Sequence, residues 1–551
     1  MSERSGTPPG AGAAGTGTGA GAVLLVLAAS QFLMTLDTSV MNVSIKSVAN
    51  DLDTSVTGIQ TAITLYTLVM AAFMITGGKV GSLLGRRRAF GLGLVVYGSG
   101  SLVTAISPNL TVLLIGWSGL EGLGAALIMP AIVALVAANF PSERRSAAYG
   151  LIAAAGAIGV AAGPLIGGAI TTFASWRWVF VGEVVISLVI LACLRRLHDV
   201  RPERVSFDLV GAGLSIVGLS LTVFGVLKAG VWGLVRSKPG APTLAGLSIV
   251  VWMILTGLLV IAALVTWESR VEARGGEPLF RPSMFGGVRL TGGLVAFFFQ
   301  FMVQSGLFFT VPLFLSVVLE LSALQTGLRI LPLSVTLLLT ALLVPRLASQ
   351  ASPRLVVRLG LLAILAGTMV LVAGLDPGAN AGIVLIPMAL VGTGIGALAS
   401  QLGAVTVSGA PESQSAEVGG LQNTFTNFGA SLGTAVVGAV LIAGLTTGLV
   451  HGISNNPDIP ASVTAKATVQ MEGGVPFVSD SQLRSELAST DLPASTQSAI
   501  VAENESARLY GLRSALWVVV LMVVVGLFCT GLLPSTSLAA HKQREPAHPP
   551  A

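Results

Sequence analysis

Three acidic residues lie inside long apolar segments of this chain. Asp37 is the only charged residue between Ala22 and Ile45, and Glu121 and Glu183 interrupt two later apolar segments in the same way. A charged side chain at the centre of a bilayer costs about 2.5–3.5 kcal/mol on insertion scales. Such a residue therefore usually faces the interior of a helix bundle or a water-filled path. The chemistry that these acids indicate is the binding and release of protons or cations.

The composition identifies a membrane protein with many spans. Of the 551 residues, 53% are hydrophobic and only 10% are charged, whereas a soluble protein carries about 25% charged residues. The 67 glycines are expected where helices approach one another closely in lipid. The formal charge of +5 indicates no nucleic-acid partner, because the basic residues lie between apolar segments. Cys193 and Cys529 lie in apolar segments, so we expect neither a disulfide nor a metal site.

Apolar segments of about 20 residues are long enough to cross the hydrocarbon core as helices, and this sequence contains fourteen. The predicted spans are Ala22–Ile45, Val56–Thr76, Phe90–Ile106, Leu110–Ala137, Ala147–Ile170, Trp178–Leu194, Leu209–Leu227, Leu244–Trp267, Leu290–Val317, Leu328–Val344, Val356–Leu375, Ile383–Val407, Gly420–Leu445 and Leu512–Leu533.

The distribution of basic residues predicts the orientation. Most of the 30 Lys and Arg residues fall on one side of the predicted membrane, where they include Arg86–Arg88, Arg144, Arg145, Arg195 and Arg196. The positive-inside rule makes that side cytoplasmic and places both termini in the cytoplasm. Only six of the basic residues are Lys, a bias that is typical of GC-rich bacterial genomes, so we expect a bacterial cytoplasmic membrane.

Two polar regions flank or interrupt the spans. Residues 1–21 are rich in Gly, Ala, Thr and Pro and are predicted to form a disordered cytoplasmic tail, and residues 534–551 a second one. Residues 451–508 form a long polar loop on the extracytoplasmic side, with a short helix predicted around Asp480–Ser489. This loop is either a solvated cap or linker, or a lid that gates substrate.

The connection after the second span carries a recognisable pattern. It reads Gly-Lys-Val-Gly-Ser-Leu-Leu-Gly-Arg-Arg-Arg from Gly78 to Arg88. The positions that form the pattern are Gly78, Ser82, Gly85, Arg86, Arg87 and Arg88. This resembles the signature loop of the major facilitator superfamily, in which an Asp stands at the position of Ser82. The Asp of the family holds the inner gate shut. Ser82 cannot carry that charge, although a serine can cap a helix.

The fifth predicted span contains a Gly-Pro-Gly-Gly-like pattern at Gly163, Pro164, Gly167 and Gly168. It resembles the motif that is associated with antiporters of the same superfamily. Small residues permit close helix contact and a proline inside a helix kinks it. The alternative interpretation is a packing seam that implies no direction of transport.

Further segments resemble the fourteen-helix drug:proton antiporter branch of this family. They are Leu36–Val43, Ser175–Phe180, Asp208–Gly211 and Gln422–Gly433. The resemblance implies an all-α major facilitator fold with two six-helix bundles and two extra central transmembrane helices. The bundles are expected at residues 22–195 and 290–533, and the linker with the extra pair of helices at residues 196–289.

The fourth span departs from the family pattern Arg-x-x-Gln-Gly. The Arg proposed to assist proton transfer is replaced by Ser118 and the Gln by Glu121, while an Asn that is common in the sixth span is replaced by Glu183. Two neutral positions have thus become carboxyl groups. We interpret Asp37, Glu121 and Glu183 as a redistributed proton-coupling network.

Asp37 and Glu183 each have an alternative, structural interpretation, and the depth of Glu121 in its span bears on its role. Asp37 could be tied permanently to a polar partner such as Asn42, and Glu183 could pair with Arg177 near the membrane surface. Glu121 lies about 16 Å from the start of its span at 1.5 Å per residue, close to the midplane where transporters place coupling sites.

Polar and aromatic side chains in other spans are candidates for a substrate cavity. Amide groups one helical turn apart share a face and need partners when buried, and an aromatic residue beside them suits a flat amphiphile. The predicted cavity residues are Asn42, Gln300, Gln304, Phe301, Asn423 and Asn427.

These observations predict a proton-coupled efflux antiporter that exports lipophilic or cationic drugs, antibiotics or a natural product by alternating access. A drug that competes with protons for the same negative site would couple the two flows. The proton gradient is the expected energy source, with no cofactor, metal or nucleotide, since no nucleotide-binding loop or metal-ligand motif occurs. A lipid or metabolite exporter of the same fold, an uptake symporter and a non-transport membrane protein are the alternatives. The acids are spread over three spans, which disfavours an enzyme.

Overall fold

In a computed structural model the chain is a bundle of long helices. The structure describes residues 17–197, 207–348, 350–376, 380–409, 415–460, 475–490 and 492–536. Within these residues, the only strands are the two-residue pair Thr243–Leu244 and Leu247–Ser248. The long helices, numbered in chain order, are α1 Gly17–Asp51, α2 Val56–Leu84, α3 Arg86–Ala105, α4 Leu110–Asn139, α5 Ser142–Phe173, α6 Arg177–Ala192, α7 Leu209–Trp232, α8 Ile249–Ala273, α9 Val288–Val318, α10 Ala323–Leu347, α11 Pro353–Gly374, α12 Leu385–Val407, α13 Ser415–Asn455 and α14 Ala494–Cys529.

The fourteen helices coincide with the fourteen predicted spans. Thirteen helices of the described part of the chain are long and apolar enough to cross a membrane. The remaining one, α3, begins with three arginines and contains several glycines and serines, which lower its hydropathy. Several helices extend past the predicted ends, because a helix can continue into polar sequence outside the hydrocarbon layer. Thus α1 starts at Gly17, inside the predicted tail, and α14 starts at Ala494, inside the predicted loop.

The helices form two halves joined by a central pair. α1–α6 pack among themselves, as do α9–α14, and the halves meet where α2 packs on α13 and α5 on α10. The hairpin α7–α8 packs through α7 on both α2 and α13, so it bridges the halves. We call the end that holds the α2–α3 connection the Arg86 end, and the end that holds the α1–α2 connection the Asp51 end. The predicted boundaries at residues 22, 195, 289 and 533 stay predictions.

Small residues set the distance between the halves. A Cβ atom added at Gly327 of α10 would lie 2.1 Å from the Pro164 carbonyl oxygen of α5, and one added at Gly168 would lie 2.6 Å from the Ala323 carbonyl oxygen. Where α2 packs on α13, polar contacts also join the halves. The Gln60 amide donates to the Thr434 carbonyl over 3.1 Å.

The predicted loop helix is present as Asp480–Leu487 at the Asp51 end. Its Asp480 carboxylate accepts a hydrogen bond of 2.5 Å from Arg508 of α14, whose side chain is fully buried. Arg508 also donates to the carbonyl oxygens of Val317 and Val478. The loop helix is therefore anchored to the end of α9 and to Arg508 within α14. Residues 461–474 and 491 of the predicted loop, and residues 1–16 and 537–551 of the predicted tails, lie outside the described residues.

We expect Gly327→Ala to destabilise the closed contact between α5 and α10 by about 1–3 kcal/mol, since the added methyl group overlaps backbone atoms. The matched control is Gly213→Ala in α7, where an added Cβ meets no atom within 4 Å. Thermal unfolding of both variants in detergent measures the difference. Equal unfolding temperatures for the two variants would show that the seam is not packed as described.

Asp480→Ala is expected to lower the free energy of unfolding by about 3 kcal/mol or more, because it leaves the buried guanidinium of Arg508 without its counter-charge. Arg484→Ala, on an exposed position of the same short helix, should change the unfolding temperature little. Limited proteolysis between residues 475 and 490 should become faster only in the first variant. Unchanged proteolysis would contradict the anchoring role of Arg508.

Candidate functional site

The three acids predicted from separate spans meet at one place. Asp37 of α1, Glu121 of α4 and Glu183 of α6 each contribute a carboxyl oxygen, and these oxygens all lie within 4.8 Å of one another. Their side chains are 0%, 0% and 1% exposed. We call this group the acid cluster.

Trp117 of α4 holds Asp37. Its indole N–H lies 2.9 Å from Oδ1 and 3.1 Å from Oδ2 of Asp37. The Trp117 ring stacks on Tyr66 of α2, with centroids 4.8 Å apart and planes at 8°. Asn42, the partner proposed from the sequence, instead donates to the Thr38 carbonyl over 2.7 Å, so that pairing was wrong. Asn42 and Asp37 lie on different faces of α1.

Hydroxyl groups of α3 surround the two glutamates. Thr104 lies 3.1 Å from Oε1 of Glu121, while Tyr97 and Ser101 each lie 3.2 Å from Oε2 of Glu183. The second oxygen of each glutamate has no hydrogen-bond partner among the described residues. Both glutamates therefore present a carboxyl oxygen that can accept or carry a proton without breaking a protein hydrogen bond.

Arg177 does not pair with Glu183, contrary to one interpretation of the sequence. It forms an ion pair of 2.7 Å with Asp51. The guanidinium also donates to the carbonyl oxygens of Ala105 and Ser107. Arg177 thus joins the ends of α1, α3 and α6 at the Asp51 end, and Glu183 belongs to the acid cluster instead.

A local distortion of α4 places Glu121. Residues Leu114–Glu121 form a π-helical segment, a widened turn that often occurs at functional sites. A Cβ atom at Gly100 of α3 would lie 2.6 Å from Cγ of Glu121, so α3 can approach only because that position is glycine. Ser118, which stands where the family carries Arg, donates to the Ala62 carbonyl over 2.8 Å.

The electrostatics of the acid cluster disfavour ionisation of all three carboxyl groups at once. No ion pair to Asp37, Glu121 or Glu183 occurs within the described ranges. Two carboxylates 4.8 Å apart repel by about 3.5 kcal/mol at an effective dielectric constant of 20. Three ionised groups together would be strongly unfavourable, so the arrangement is chemically suited to hold protons or a small cation.

A separate pocket lies between the two halves. It leaves only about 20 Å³ of space, and the polar atoms of Ser39 and Asn42 of α1 and Ser334 of α10, which line it, are not exposed to it. The apolar lining residues are Val43, Val160, Pro164, Leu307, Phe308, Val311, Pro312, Ile330, Leu333 and Met388. Of the predicted cavity residues, only Asn42 lines this pocket.

The other predicted cavity residues lie elsewhere on α9 and α13. Gln300 is buried and its side-chain oxygen has no hydrogen-bond partner among the described residues, while Gln304 is half-buried. The Phe301 ring lies 6.5 Å from the ring of Phe297. Asn427 donates to the Asn423 carbonyl over 2.9 Å, which satisfies part of its amide. Their role as cavity residues stays a prediction.

The signature loop forms a tight turn with its own hydrogen bonds. Gly85 has φ +93°, a conformation that favours glycine, and it separates α2 from α3. Arg86 donates to the Gly78 carbonyl over 2.9 Å and to the Ser82 hydroxyl over 2.7 Å. Ser82 lies inside the last turn of α2, so it accepts from an arginine and is not a helix N-cap. Of the remaining arginines, Arg87 donates to the Leu197 carbonyl and Arg88 is exposed.

The glycine motif of α5 packs on two helices. A Cβ atom at Gly163 would lie 2.3 Å from Cβ of Ser39, and one at Gly167 would lie 2.6 Å from Cγ2 of Val40, both on α1. Gly168 faces α10, as described above. This motif therefore brings α1, α5 and α10 into close contact.

This all-helical arrangement of two halves and a central hairpin is that of a membrane transporter. The chain belongs to the Major Facilitator Superfamily, whose family model matches residues 27–434. It is accordingly a multi-pass membrane transporter and not an enzyme, as the sequence predicted.

Relatives and solved structures agree with this assignment. The chain is 31% identical to a puromycin resistance protein of Streptomyces alboniger over 456 residues, which are 80% of this chain and 86% of the relative. It is 31% identical to a cephamycin export protein of Amycolatopsis lactamdurans over 420 residues, which are 75% and 83% of the two chains. A bacterial homologue of the human lysosomal transporter Spinster, in an inward-facing conformation, superposes with a TM-score of 0.57. That match has 13% identity and covers 94% of this chain and 98% of the other.

Sequence reasoning missed Trp117, although a signal was present. An indole N–H inside an apolar span needs an acceptor when it is buried, and Asp37 is a candidate acceptor at comparable depth in another span. The pairing itself depends on how α1 and α4 are rotated toward each other.

Trp117→Phe is expected to lower the free energy of unfolding by about 1–3 kcal/mol, because it leaves a buried carboxyl group without its donor. The same substitution in an Asp37→Asn background should cost clearly less, since the charge that the indole stabilises is gone. Thermal unfolding of the four members of this double-mutant cycle measures the coupling. Additive effects would show that Trp117 and Asp37 do not interact.

Proposed function

We propose that this protein is a proton-coupled antiporter that exports lipophilic small molecules, among them antibiotics, from a bacterial cytoplasm. The observation that carries the proposal is the acid cluster. Three buried acids without an ion-pair partner among the described residues are costly to keep ionised, which supports a role in which their charge changes during the transport cycle. Protons are the simplest charge that such a cluster can take up and release.

The relatives support the choice of cargo. Three relatives are about equally similar to this chain. They are the puromycin resistance protein, the cephamycin export protein and a tetracenomycin C resistance and export protein of Streptomyces glaucescens. Their names refer to resistance to, or export of, chemically different antibiotics. A small organic molecule leaving the cell is therefore the cargo that we infer for this chain.

The proposed cycle uses the two halves as rocking units. With the Arg86 end in the cytoplasm, as the positive-inside rule favours, both termini are cytoplasmic and the loop helix is external. A proton enters the acid cluster from the external side and leaves it toward the cytoplasm. The carboxyl groups of Asp37, Glu121 and Glu183 change charge, and the seams between α2 and α13 and between α5 and α10 open and close.

Transport in proteoliposomes tests this function. An imposed pH gradient should drive accumulation of substrate by the wild type, and added substrate should partly discharge the gradient. A panel of lipophilic cations and common antibiotics identifies a transported compound. We expect Asp37→Asn and Glu121→Gln each to reduce gradient-driven transport by at least tenfold, because the neutral amides cannot carry a proton through the cycle.

Glu183→Gln should reduce transport in the same way, whereas Glu486→Gln, an exposed acid of the loop helix, is the matched control. Facilitated diffusion down a concentration gradient, measured without a pH gradient, verifies that the variants are folded. If all three buried variants respond to the pH gradient like the wild type, the acids are structural and the transporter uses another energy source.

A further inference from the structure

Two oxygens of the acid cluster are buried and make no hydrogen bond. They are Oε2 of Glu121 and Oε1 of Glu183, and neither has a partner among the described residues. The two residues are 0% and 1% exposed. Native proteins pair nearly all of their buried polar atoms, and an exception often marks the place of a water molecule or an ion. These two oxygens therefore point to a ligand of the cluster.

The spacing of the three carboxyl groups fits a single ion of moderate size. One oxygen from each of Asp37, Glu121 and Glu183 lies within 4.8 Å of the other two. One point therefore lies within about 2.8 Å of all three oxygens, which is 4.8 Å divided by the square root of three. Calcium binds oxygen at about 2.3–2.6 Å, whereas magnesium needs about 2.0–2.1 Å and near-ideal octahedral geometry. A calcium-sized ion thus requires the smaller contraction of the cluster.

The donor atoms of the cluster are all carboxyl oxygens. The three groups offer two oxygens each, and calcium takes six to eight oxygen ligands and binds a carboxylate through one oxygen or both. No His nitrogen or Cys sulfur of the described residues belongs to the cluster. Nitrogen and sulfur are the ligands that zinc and copper prefer, whereas carboxylates suit magnesium, calcium and manganese. The donor set therefore favours calcium over zinc or copper.

Hydrogen bonds from neighbouring helices hold the carboxyl groups in position. The Trp117 indole donates to both oxygens of Asp37, and hydroxyl groups of α3 contact one oxygen of each glutamate. Contacts of this kind orient the ligands of a metal site and strengthen its binding. A carboxylate oxygen that accepts one hydrogen bond keeps a second lone pair for a cation.

We propose that the acid cluster is a metal site that takes a calcium ion, bound by the carboxyl groups of Asp37, Glu121 and Glu183. No metal was expected from the sequence, in which these acids lie in separate spans and form no local motif. The two positive charges of calcium offset the repulsion among the carboxylates. The consequence for transport rests on the proposed function: calcium occupies the groups that would carry protons, so it should inhibit gradient-driven export.

Terbium luminescence tests the site in the purified protein, without a gradient or a substrate. Tb³⁺ replaces calcium in oxygen sites, and an excited tryptophan transfers energy to it only at short range. Because the Trp117 indole contacts Asp37, an ion in the cluster should emit when tryptophan is excited. We expect Asp37→Asn, Glu121→Gln and Glu183→Gln each to weaken terbium binding at least about tenfold, since even the loss of an outer contact commonly costs that much. Glu486→Gln, at an exposed acid of the loop helix, is the matched control and should leave the emission unchanged.

Competition identifies the ion. Ca²⁺ should displace terbium at a concentration at least about tenfold lower than Mg²⁺ or Na⁺, because the cluster is wide and built of carboxylates. Each mixture is incubated until the emission is constant, since the cluster is enclosed in this conformation. Displacement by Mg²⁺ or Na⁺ at least as readily as by Ca²⁺ would overturn the choice of calcium.

Two further measurements place the ion and control for misfolding. Trp117→Phe should remove the tryptophan-excited emission while radioactive calcium still binds, and persisting emission would place the ion elsewhere. Calcium should raise the unfolding temperature of the wild type and of Glu486→Gln, and should not raise that of Glu121→Gln, because a ligand stabilises only the fold that binds it. Equal calcium binding by the wild type and by the variants of all three acids would overturn the proposal.

Proteoliposomes separate this proposal from the proposed function. Calcium should inhibit export that is driven by a pH gradient, at the concentrations that displace terbium. If calcium binds but a pH gradient drives no export even in its absence, the proposed function fails while the metal site remains. If export depends on the three acids and no metal ion binds, the cluster holds protons alone and the metal site is wrong. Calcium binding without inhibition would contradict a shared use of the cluster by calcium and protons.

Discussion

The structure depends on one electrostatic constraint, the burial of three carboxyl groups that form no ion pair with any basic side chain among the described residues. Asp37, Glu121 and Glu183 come from helices that are far apart in sequence, and their oxygens lie within 4.8 Å. Repulsion would separate them if all were ionised. The surrounding groups are consistent with this requirement: an indole N–H holds Asp37, and hydroxyl groups, which can donate or accept, contact the glutamates. Such partners can keep their hydrogen bonds to the carboxyl groups when the protonation of these groups changes.

Packing brings the carboxyl groups together, and small residues make that packing possible. Gly100 allows α3 to reach the backbone of α4 beside Glu121, and the π-helical segment of α4 carries both Trp117 and Glu121. On the other side, Gly163 and Gly167 let α5 approach the opposite face of α1. Helix α1 is therefore in close contact on two faces. A shift of this helix would change its contacts both with the acids and with α5 at the seam between the halves, because an interior this closely packed transmits displacement.

The sequence predicted the number of helices, their approximate bounds and the identity of the acids, because these follow from hydropathy and from the cost of charge in lipid. It left open whether Glu183 joins Asp37 and Glu121 or pairs with Arg177, and it did not predict that Trp117 holds Asp37. Those contacts depend on the rotation and tilt of each helix, which packing with neighbours sets. The helix ends were also missed at α1 and α14, since hydropathy detects the apolar part of a helix and not its polar extension. The role of Ser82 was only partly predictable, because its partner Arg86 is four residues away across the Gly85 turn.

The departures of this chain from its family pattern form one consistent set. An arginine at the position of Ser118 would lie three residues from Glu121 on the same π-helical segment and could neutralise it permanently. Ser118 instead donates to the Ala62 carbonyl and leaves the cluster without a fixed positive charge. The family arginine is lost in the same chain in which two neutral positions become glutamates. No ion pair to the three acids occurs in the described part of the chain, so under the proposed function each proton taken up or released would change the force between α1, α4 and α6. The absence of an arginine is thus as important to the site as the presence of the acids.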